Sequence, residues 1–282
     1  MKVVFIGAGN IATSFAAAFK QQGHTVTQIW SRTLDSARRL ADRLTNGKNI
    51  LATNCLSDLQ TDADLYLLAV RDGVMADTAE RLAQVFAQHN ATFSPQRLFV
   101  HLACTQTLDV LRPLHSFGHT GVLYPFQAFS KTRIVDLSRV AFFTEGDSEV
   151  SSTMVHDLAL SFSPTVYTAT FEQRIYLHLS GCIANNFTNC LYAIAKEVLD
   201  EARLPFDVLY PVMEETAHKA QLFPPREVQS GPAARGDSVT IEKHLALLDR
   251  LATPTMKDTS SPIDFRDVYR FFTHNIQAAA KR

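Results

Sequence analysis

The sequence predicts an α/β fold in which a doubly wound parallel sheet is followed by an all-helical C-terminal domain. Over residues 1–168, short apolar runs alternate with amphipathic segments, which is the pattern of strands alternating with helices around a parallel sheet. After residue 169 the short apolar runs cease, and the remaining segments have the length and spacing of helices. We therefore expect a sheet domain over residues 1–168 and a helical domain over residues 169–282.

The expected elements follow in order along the chain. Apolar runs predict strands at residues 3–6, 24–30, 64–70 and 98–103, and shorter strands at 121–123, 139–144 and 165–168. Apolar residues at helical spacing predict intervening helices at residues 11–22, 34–44 and 72–88. In the second part we expect helices at 171–204, 206–221, 238–251 and 265–280, the first with a weak point at Ser180 and Gly181.

The composition is that of an ordinary globular protein and excludes several classes of partner. The chain has 282 residues, of which 46% are hydrophobic and 20% charged, and its net charge is −1. Because it has no block of lysine and arginine, we expect no binding to nucleic acid or to an anionic membrane. No apolar run approaches the roughly 20 residues that span a bilayer.

The four cysteines are spaced too irregularly for a metal site or a disulfide framework. Cys55, Cys104, Cys182 and Cys190 show no CxxC spacing. Cysteines of this kind in a chain of this length are typically reduced thiols of the core. We therefore expect no metal and a cytoplasmic protein.

A glycine-rich turn after the first predicted strand indicates a bound dinucleotide. Its sequence, GAGNIA, is the GxGxxA variant of the fingerprint in which a pyrophosphate lies on the N-terminus of a helix. The first glycine permits the tight turn, the second lets the pyrophosphate approach the backbone, and the alanine lets the helix pack on the sheet. We expect a Rossmann domain whose first cofactor contacts are Gly7, Gly9, Asn10, Ile11 and Ala12. The alternative is a domain that keeps the turn and binds nothing.

The end of the second predicted strand favours NADP over NAD. An acid there would bind the ribose 2′-hydroxyl and repel a 2′-phosphate, but the first acid after this strand is Asp35. Arg32 instead stands 23 positions after Gly9, and its guanidinium matches a phosphate dianion. Ser31 and Thr33 add neutral donors. The alternatives for Arg32 are stacking on the adenine and a surface position that begins a helix.

The ends of the next two strands should face the same ligand, since cofactors lie at the carboxyl ends of the strands in open α/β sheets. We expect Val70 and Arg71 to flank the cofactor. His101 is expected nearer the nicotinamide, where a histidine can act as an acid or base close to neutral pH. The alternative for His101 is a hydrogen bond to the backbone at the strand end.

Three motifs give the chain a resemblance to a known group. They are YPFQAFS at residues 124–130, HLSGCIANNF at 178–187 and GPAARGD at 231–237. With the glycine-rich turn, they resemble the 6-phosphogluconate dehydrogenase-like superfamily, which includes pyrroline-5-carboxylate reductases and F420-dependent NADP reductases. Within it, the chain is most similar to Rossmann-like proteins with a DUF2520 C-terminal domain. The resemblance implies an NADP oxidoreductase that forms a homodimer.

One position departs from the better-known dehydrogenases of this group. Their first long helix carries a lysine four residues before an asparagine, and the lysine is the acid or base. Asn186 here matches the asparagine, and Cys182 stands where the lysine is expected. On an α-helix, His178, Cys182, Asn185 and Asn186 would share one face that can point at the nicotinamide. The alternative is that this face packs in a dimer or domain interface.

Three further residues are candidates for binding the substrate. Tyr124 and Gln127 are expected to form a wall of the cleft between the two domains, the alternative being a turn with buried aromatic residues. Arg235 is a candidate contact for an anionic substrate. The alternative, which is the safer interpretation of the residues around Arg235, is a turn followed by a helix cap.

Two functions follow. The first is an NADP-dependent oxidoreductase that moves hydride between nicotinamide and a small carbonyl, an imine or another redox cofactor. His101 and His178 are the candidates for its acid or base, and Asn186 is expected to orient the substrate. The second function is an NADP-binding sensor without catalysis, favoured by the missing lysine. Aromatic residues in the helical part agree with a homodimer or with a monomer core.

Overall fold

The computed structural model describes residues 1–44, 50–130, 133–251 and 264–280. Contacts within the chain define two units, Met1–Asn185 and Asn186–Arg282. Residues 169–185, the start of the expected helical domain, belong to the first unit. The domain boundary between residues 168 and 169 stays a prediction.

The first unit is built on a sheet of eight strands in the order β3-β2-β1-β4-β5-β6-β7-β8. The strands are β1 (Lys2–Ile6), β2 (Thr25–Trp30), β3 (Leu51–Thr53), β4 (Leu65–Leu68), β5 (Leu98–His101), β6 (His119–Phe126), β7 (Ala141–Gly146) and β8 (Val166–Thr168). All neighbouring pairs are parallel except β6 with β7, which are antiparallel. The predicted doubly wound sheet is confirmed, with this one reversal.

The reversal at β7 follows from the connection that precedes it. In the part that the structure describes, only the 3₁₀ turn Leu137–Arg139 lies between β6 and β7. A parallel neighbour requires a long crossover, usually a helix, to return the chain to the starting edge. Without that helix, β7 runs back beside β6.

Four helices cover the two faces of this sheet. They are α1 (Asn10–Gln21), α2 (Leu34–Leu44), α3 (Met75–Gln88) and α4 (Glu149–Phe162). Successive residues of β1 point to opposite faces, so Val3 and Phe5 pack with α1, α2 and α4, whereas Val4 and Ile6 pack with α3. The sheet is therefore buried on both faces, which explains its near-continuous apolar strands.

The predicted helix at residues 171–204 is divided into three parts. Helix α5 (Phe171–Gly181) is followed by a π-helical turn, Cys182–Phe187, and by α6 (Thr188–Glu201). The predicted weak point at Ser180 and Gly181 lies directly before this turn. Gly181 is also a point of close approach, because a Cβ there would lie 2.9 Å from the Phe126 ring.

The second unit is helical. Besides α6 it contains α7 (Tyr210–Leu222), α8 (Pro232–Arg235), α9 (Ser238–Leu251) and α10 (Phe265–Ala280). Helix α8 replaces the turn that we expected at GPAARGD. Among the described residues of this unit, the buried hydrophobic side chains are Ala233 and Ile241 alone, while many large apolar side chains are exposed.

Candidate functional site

The glycine-rich turn between β1 and α1 has the geometry that the fingerprint requires. Gly7 has φ +119°, and a Cβ there would lie 2.4 Å from the carbonyl oxygen of Ala69, at the end of β4. Its backbone N–H donates to the carbonyl of Trp30 at 2.8 Å. Only glycine fits this position. Any other residue would be strained at this φ, and its Cβ would clash with the backbone of Ala69.

The N-terminus of α1 has free backbone donors. Its N-cap is Gly9, which provides no capping side chain, and the first turn carries no acidic residue. The first N–H groups of a helix have no partner within it, and they attract anions together with the helix dipole. Ala12 is fully buried and packs α1 on the sheet. The turn therefore presents backbone donors to a phosphate.

A first pocket, pocket A, lies on one side of this turn and has a volume of about 500 Å³. One wall is the segment after β2, and the opposite wall is the start of α3. Its lining residues are Gly7, Ala8, Gly9, Trp30, Ser31, Arg32, Thr33, Ser36, Asn54, Ala69, Val70, Arg71, Val74, Asp77, Thr78 and Arg81. All three residues that we predicted after β2 line this pocket, and Arg32 and Thr33 are exposed.

A second pocket, pocket B, continues from pocket A on the other side of the turn and has a volume of about 460 Å³. Its lining residues are Gly9, Asn10, Ile11, Ala69, Val70, Arg71, Asp72, Leu102, Ala103, Cys104, Thr105, Tyr124, Pro125, Gln127, Phe129 and His178. The two pockets share Gly9, Ala69, Val70 and Arg71. The predicted contacts Val70 and Arg71 therefore stand at their junction, above the carboxyl ends of β1 and β4.

Hydrogen bonds tie the rim of pocket B together. The side-chain amide of Asn10 donates to the carbonyl of Phe129 at 3.0 Å, so it holds the segment after β6 against the glycine-rich turn. The hydroxyl of Thr105 donates to the carboxylate of Asp72. The Gln127 side-chain oxygen accepts from the backbone N–H of Ala128 at 2.8 Å. These contacts fix the loops after β4, β5 and β6 around one opening.

His101 is fully buried at the end of β5 and is absent from the residues that line either pocket. Its Nδ1 accepts from the backbone N–H of Ala103 at 3.2 Å. Burial, followed by the nearby charge of Arg174, lowers the pKa of His101 to about 4, so the imidazole is neutral at pH 7. The backbone hydrogen bond that was the alternative for His101 is present. Its catalytic role stays a prediction, and burial argues against it.

His178 reaches pocket B from α5. It is exposed, and its Nε2 lies 3.7 Å from the Sγ atom of Cys182, one turn further along the chain. The π-helical turn begins at Cys182 and closes i→i+5 hydrogen bonds. We predicted from α-helical spacing that His178, Cys182, Asn185 and Asn186 share one face. That spacing is wrong beyond Cys182, because the chain is π-helical there.

Tyr124 brings a phenol to the same pocket. Its ring packs against those of Phe126 and Phe143, with centroids 6.3 and 6.4 Å away. Burial raises the pKa of Tyr124, and the neighbouring Cys104 thiol acts in the same direction. The hydroxyl therefore keeps its proton at neutral pH and is available as a donor.

Arg174 is a buried residue of this region that we did not predict from the sequence. Its side chain is fully buried on α5 and forms an ion pair with Glu145 of β7. Its guanidinium also donates to the carbonyls of Gln106, at 2.9 Å, and Ala169, at 3.3 Å. The Arg174 carbonyl accepts from the Cys104 thiol at 2.9 Å. Arg174 therefore fixes α5, and with it His178, against the sheet. An arginine in an amphipathic segment gives no signal of this from sequence.

Two predicted residues belong to the second unit. Asn186 lies in the π-helical turn, and Arg235 is the last residue of α8; both are exposed. Their roles stay predictions. Among the described residues, no cluster of histidine, cysteine and carboxylate side chains could hold a metal ion, and no helix is long and apolar enough to cross a membrane.

Comparisons with known proteins identify relatives that are described as NADP oxidoreductases. Residues 2–90 match the family model of NADP oxidoreductases, coenzyme F420-dependent, and residues 140–275 match the domain of unknown function DUF2520. A "putative NADP oxidoreductase" of Bacteroides fragilis has 34% sequence identity and a TM-score of 0.82, and the alignment covers 98% of each chain. No curated protein matches the chain.

More distant structures share the fold. An imine reductase of Streptomyces aurantiacus has 17% identity and a TM-score of 0.61, with 99% of this chain and 96% of that one covered. A reductive aminase of Aspergillus terreus, in complex with NADPH and ethyl-5-oxohexanoate, has 15% identity and a TM-score of 0.58, with 99% and 93% covered.

The fold, the glycine-rich turn and the two joined pockets define a protein of the Rossmann oxidoreductase class. The chain belongs to the same family as the Bacteroides fragilis protein, that of NADP oxidoreductases with a DUF2520 domain. The resemblance inferred from the sequence motifs is thereby confirmed.

Proposed function

We propose that the protein is an NADP-dependent oxidoreductase that transfers hydride between nicotinamide and a small substrate. The observation that carries this proposal is the junction of pockets A and B at the glycine-rich turn. A dinucleotide has two halves joined by a pyrophosphate, and the helix N-terminus between the pockets is where a pyrophosphate binds. Pocket A then takes the adenosine half and pocket B the nicotinamide half.

The preference for NADP rests on the wall of pocket A that follows β2. Arg32, Ser31 and Thr33 line it, and no acid stands at the end of β2 to bind a free 2′-hydroxyl. An arginine fork bound to a phosphate makes charge-assisted hydrogen bonds. The 2′-phosphate of NADP therefore gains contacts that NAD cannot make.

Replacing Arg32 with methionine is expected to weaken NADPH binding about 10- to 100-fold, because hydrogen bonds to charged groups contribute about 1.5–3 kcal/mol each. NADH binding should change little. Both affinities are measured by the fluorescence of the reduced nicotinamide. An equal loss for both nucleotides would mean that Arg32 stacks on the adenine. A wild-type protein that binds neither nucleotide would refute the proposed function.

The chemistry belongs to pocket B. Its polar groups include the imidazole of His178, the phenol of Tyr124 and the amide of Gln127, while Ile11, Leu102 and Phe129 add apolar walls. Hydride transfer to a carbonyl or imine leaves a heteroatom that takes up a proton, and His178 is our candidate acid or base. Tyr124, Gln127 and Cys182 are candidates for contact with the substrate. Asn186 and Arg235 remain candidates for orienting it and for binding an anionic group.

The substrate class is a small carbonyl, an imine or another redox cofactor. The imine reductase and the reductive aminase that share the fold support an imine or a ketone. The test is oxidation of NADPH, followed by absorbance, with 1-pyrroline, ethyl-5-oxohexanoate, pyruvate and a free flavin as acceptors. Turnover of any acceptor above the rate without protein supports the oxidoreductase.

A second candidate function is an NADP-binding sensor without catalysis. Cys182 stands where related dehydrogenases carry the lysine that serves as acid or base, and a thiol cannot replace that cation. The same two measurements separate the functions. Tight NADPH binding with no oxidation by any of the four acceptors favours the sensor.

We propose a homodimer. Helices α6, α7 and α10 contain no buried residue among those described. Exposed side chains on these helices and directly before α6 include Phe187, Tyr210, Val212, Phe271 and Phe272. Large exposed apolar surfaces of this kind are typical of interfaces between proteins. Sedimentation equilibrium should give twice the chain mass of 31.4 kDa. A monomer at micromolar concentration would contradict the proposal.

We also propose that the protein resides in the cytoplasm. All four cysteines are free thiols, and reduced cysteines fit a reducing compartment. Recovery of the protein outside the cytoplasmic fraction of cells would contradict this.

A further inference from the structure

The wall of pocket A opposite Arg32 carries a further cation, the guanidinium of Arg81. Arg81 stands on α3 and lines pocket A together with Asp77, Thr78 and Val74. The Thr78 hydroxyl is occupied, because it donates to the carbonyl of Val74 at 2.7 Å. The charged groups of this wall that can interact with a ligand are therefore the guanidinium of Arg81 and the carboxylate of Asp77.

The ion pair between these two side chains is loose. Arg81 Nη1 lies 3.6 Å from Asp77 Oδ2, beyond hydrogen-bond distance, and the side chains are 54% and 68% exposed. A pair of the same i,i+4 spacing on α2, Arg39 with Asp35, is closed at 2.8 Å. Exposed pairs of this type contribute little to stability, so Arg81 can leave Asp77 at small cost when a stronger anion is present.

The residues that line pocket A carry an excess of positive charge. Arg32, Arg71 and Arg81 contribute three positive charges, and Asp77 contributes the single negative one among the lining residues described. Arg71 lies at the junction with pocket B, where the pyrophosphate is expected. Arg32 and Arg81 remain, on opposite walls, for the additional phosphate that distinguishes NADP from NAD.

We propose that Arg81 is a second cationic contact for the 2′-phosphate of NADP, opposite Arg32, and that Asp77 competes with this phosphate for Arg81. The inference rests on the proposed function and deepens it. Specificity then comes from two walls of pocket A, only one of which the fingerprint reveals. Asp77 acts against NADP by holding Arg81 in the free protein, so removing its charge should raise the preference for NADP.

The test measures NADPH and NADH affinity in three variants. Arg81→Met is expected to raise the Kd for NADPH about 10-fold, the effect of one lost charge-assisted hydrogen bond, and to leave the Kd for NADH unchanged. Asp77→Asn is expected to lower the Kd for NADPH about 3-fold by freeing Arg81 from an exposed ion pair. In the double variant, Asp77→Asn should have no effect of its own, because its partner is missing.

Two further measurements sharpen the result. Arg39→Met removes an arginine from a closed i,i+4 pair outside pocket A, and it should leave both affinities unchanged. Adenosine 2′,5′-bisphosphate, compared with AMP by calorimetry, isolates the 2′-phosphate from the nicotinamide half. Its affinity should fall in Arg81→Met, whereas the affinity for AMP should not.

The outcomes separate this inference from the proposed function. A wild type that binds neither NADPH nor NADH overturns both. A wild type that prefers NADPH while Arg81→Met retains that preference overturns only the role of Arg81. An equal loss of NADPH and NADH affinity in Arg81→Met assigns this side chain to the adenine and overturns the inference as well.

Discussion

Replacing Arg174 with methionine is expected to lower the free energy of unfolding by about 3 kcal/mol, the lower end of the cost of leaving a buried charge without its partner. Arg174 is fully buried, while its partner Glu145 is 28% exposed, so water offsets part of the loss. The carbonyls of Gln106 and Ala169 also lose a donor. Urea denaturation followed by circular dichroism measures the change.

Two controls identify the cause. Lys219→Met removes a cation from an exposed i,i+4 pair with Glu215, and it should cost less than about 0.5 kcal/mol. The double variant Arg174→Met with Glu145→Leu should be more stable than Arg174→Met alone, because an apolar pair replaces an unpaired carboxylate. If Arg174→Met unfolds at the same urea concentration as the wild type, the ion pair does not hold α5 against the sheet.

Replacing His178 with alanine is expected to lower the rate of NADPH oxidation at least about 10²-fold, the usual contribution of a general acid or base. The histidine lines pocket B, where the nicotinamide half is proposed to bind. The affinity for NADPH should change much less than the rate, since pocket A and the turn bind most of the cofactor. The measurement uses the acceptor that the wild type reduces fastest.

His89 offers a matched control. It is exposed at the end of α3 and lies outside both pockets, so His89→Ala should keep the wild-type rate. An unchanged rate in His178→Ala would remove that residue from the chemistry. Tyr124 would then be the next candidate, because its phenol holds a proton in the same pocket, and Tyr124→Phe tests it.

Local patterns predicted much of the fold. The helices Leu34–Leu44, Ser238–Leu251 and Phe265–Ala280 begin and end where apolar spacing placed them. Helix α4 and strand β3 were not predicted. The first turn of α4 is rich in serine and threonine, and its capping box uses Ser148 with Ser151 rather than the usual glutamate or glutamine. Strand β3 has only three residues, too few for a pattern of alternation.

The candidate site was predictable at positions whose place in the fold is set by a short sequence motif. The turn Gly7–Ala12 and the residues after β2 lie at the predicted edge of the sheet because strand-turn-helix units always bring these positions together. The burial of His101 was not predictable, since a residue at the end of a strand can either be buried or face a ligand. The same holds for Arg174, whose partner Glu145 is 29 positions away. The π-helical turn was also not predicted, because hydrophobic spacing cannot distinguish a π-helical turn from an α-helix.

The small number of residues that the two pockets share has a consequence for how such a protein can diversify. Apart from Gly9, Ala69, Val70 and Arg71, the residues that line pocket A, the proposed adenosine site, differ from those that line pocket B, the proposed nicotinamide site. We therefore expect that substitutions in pocket A can change the preference for NADP or NAD while the proposed chemistry of pocket B is retained. New acceptors can equally be acquired around β6 and α5 without altering which carrier is consumed. Related proteins with this fold can therefore keep the same cofactor preference while their acceptor specificity changes, or the reverse.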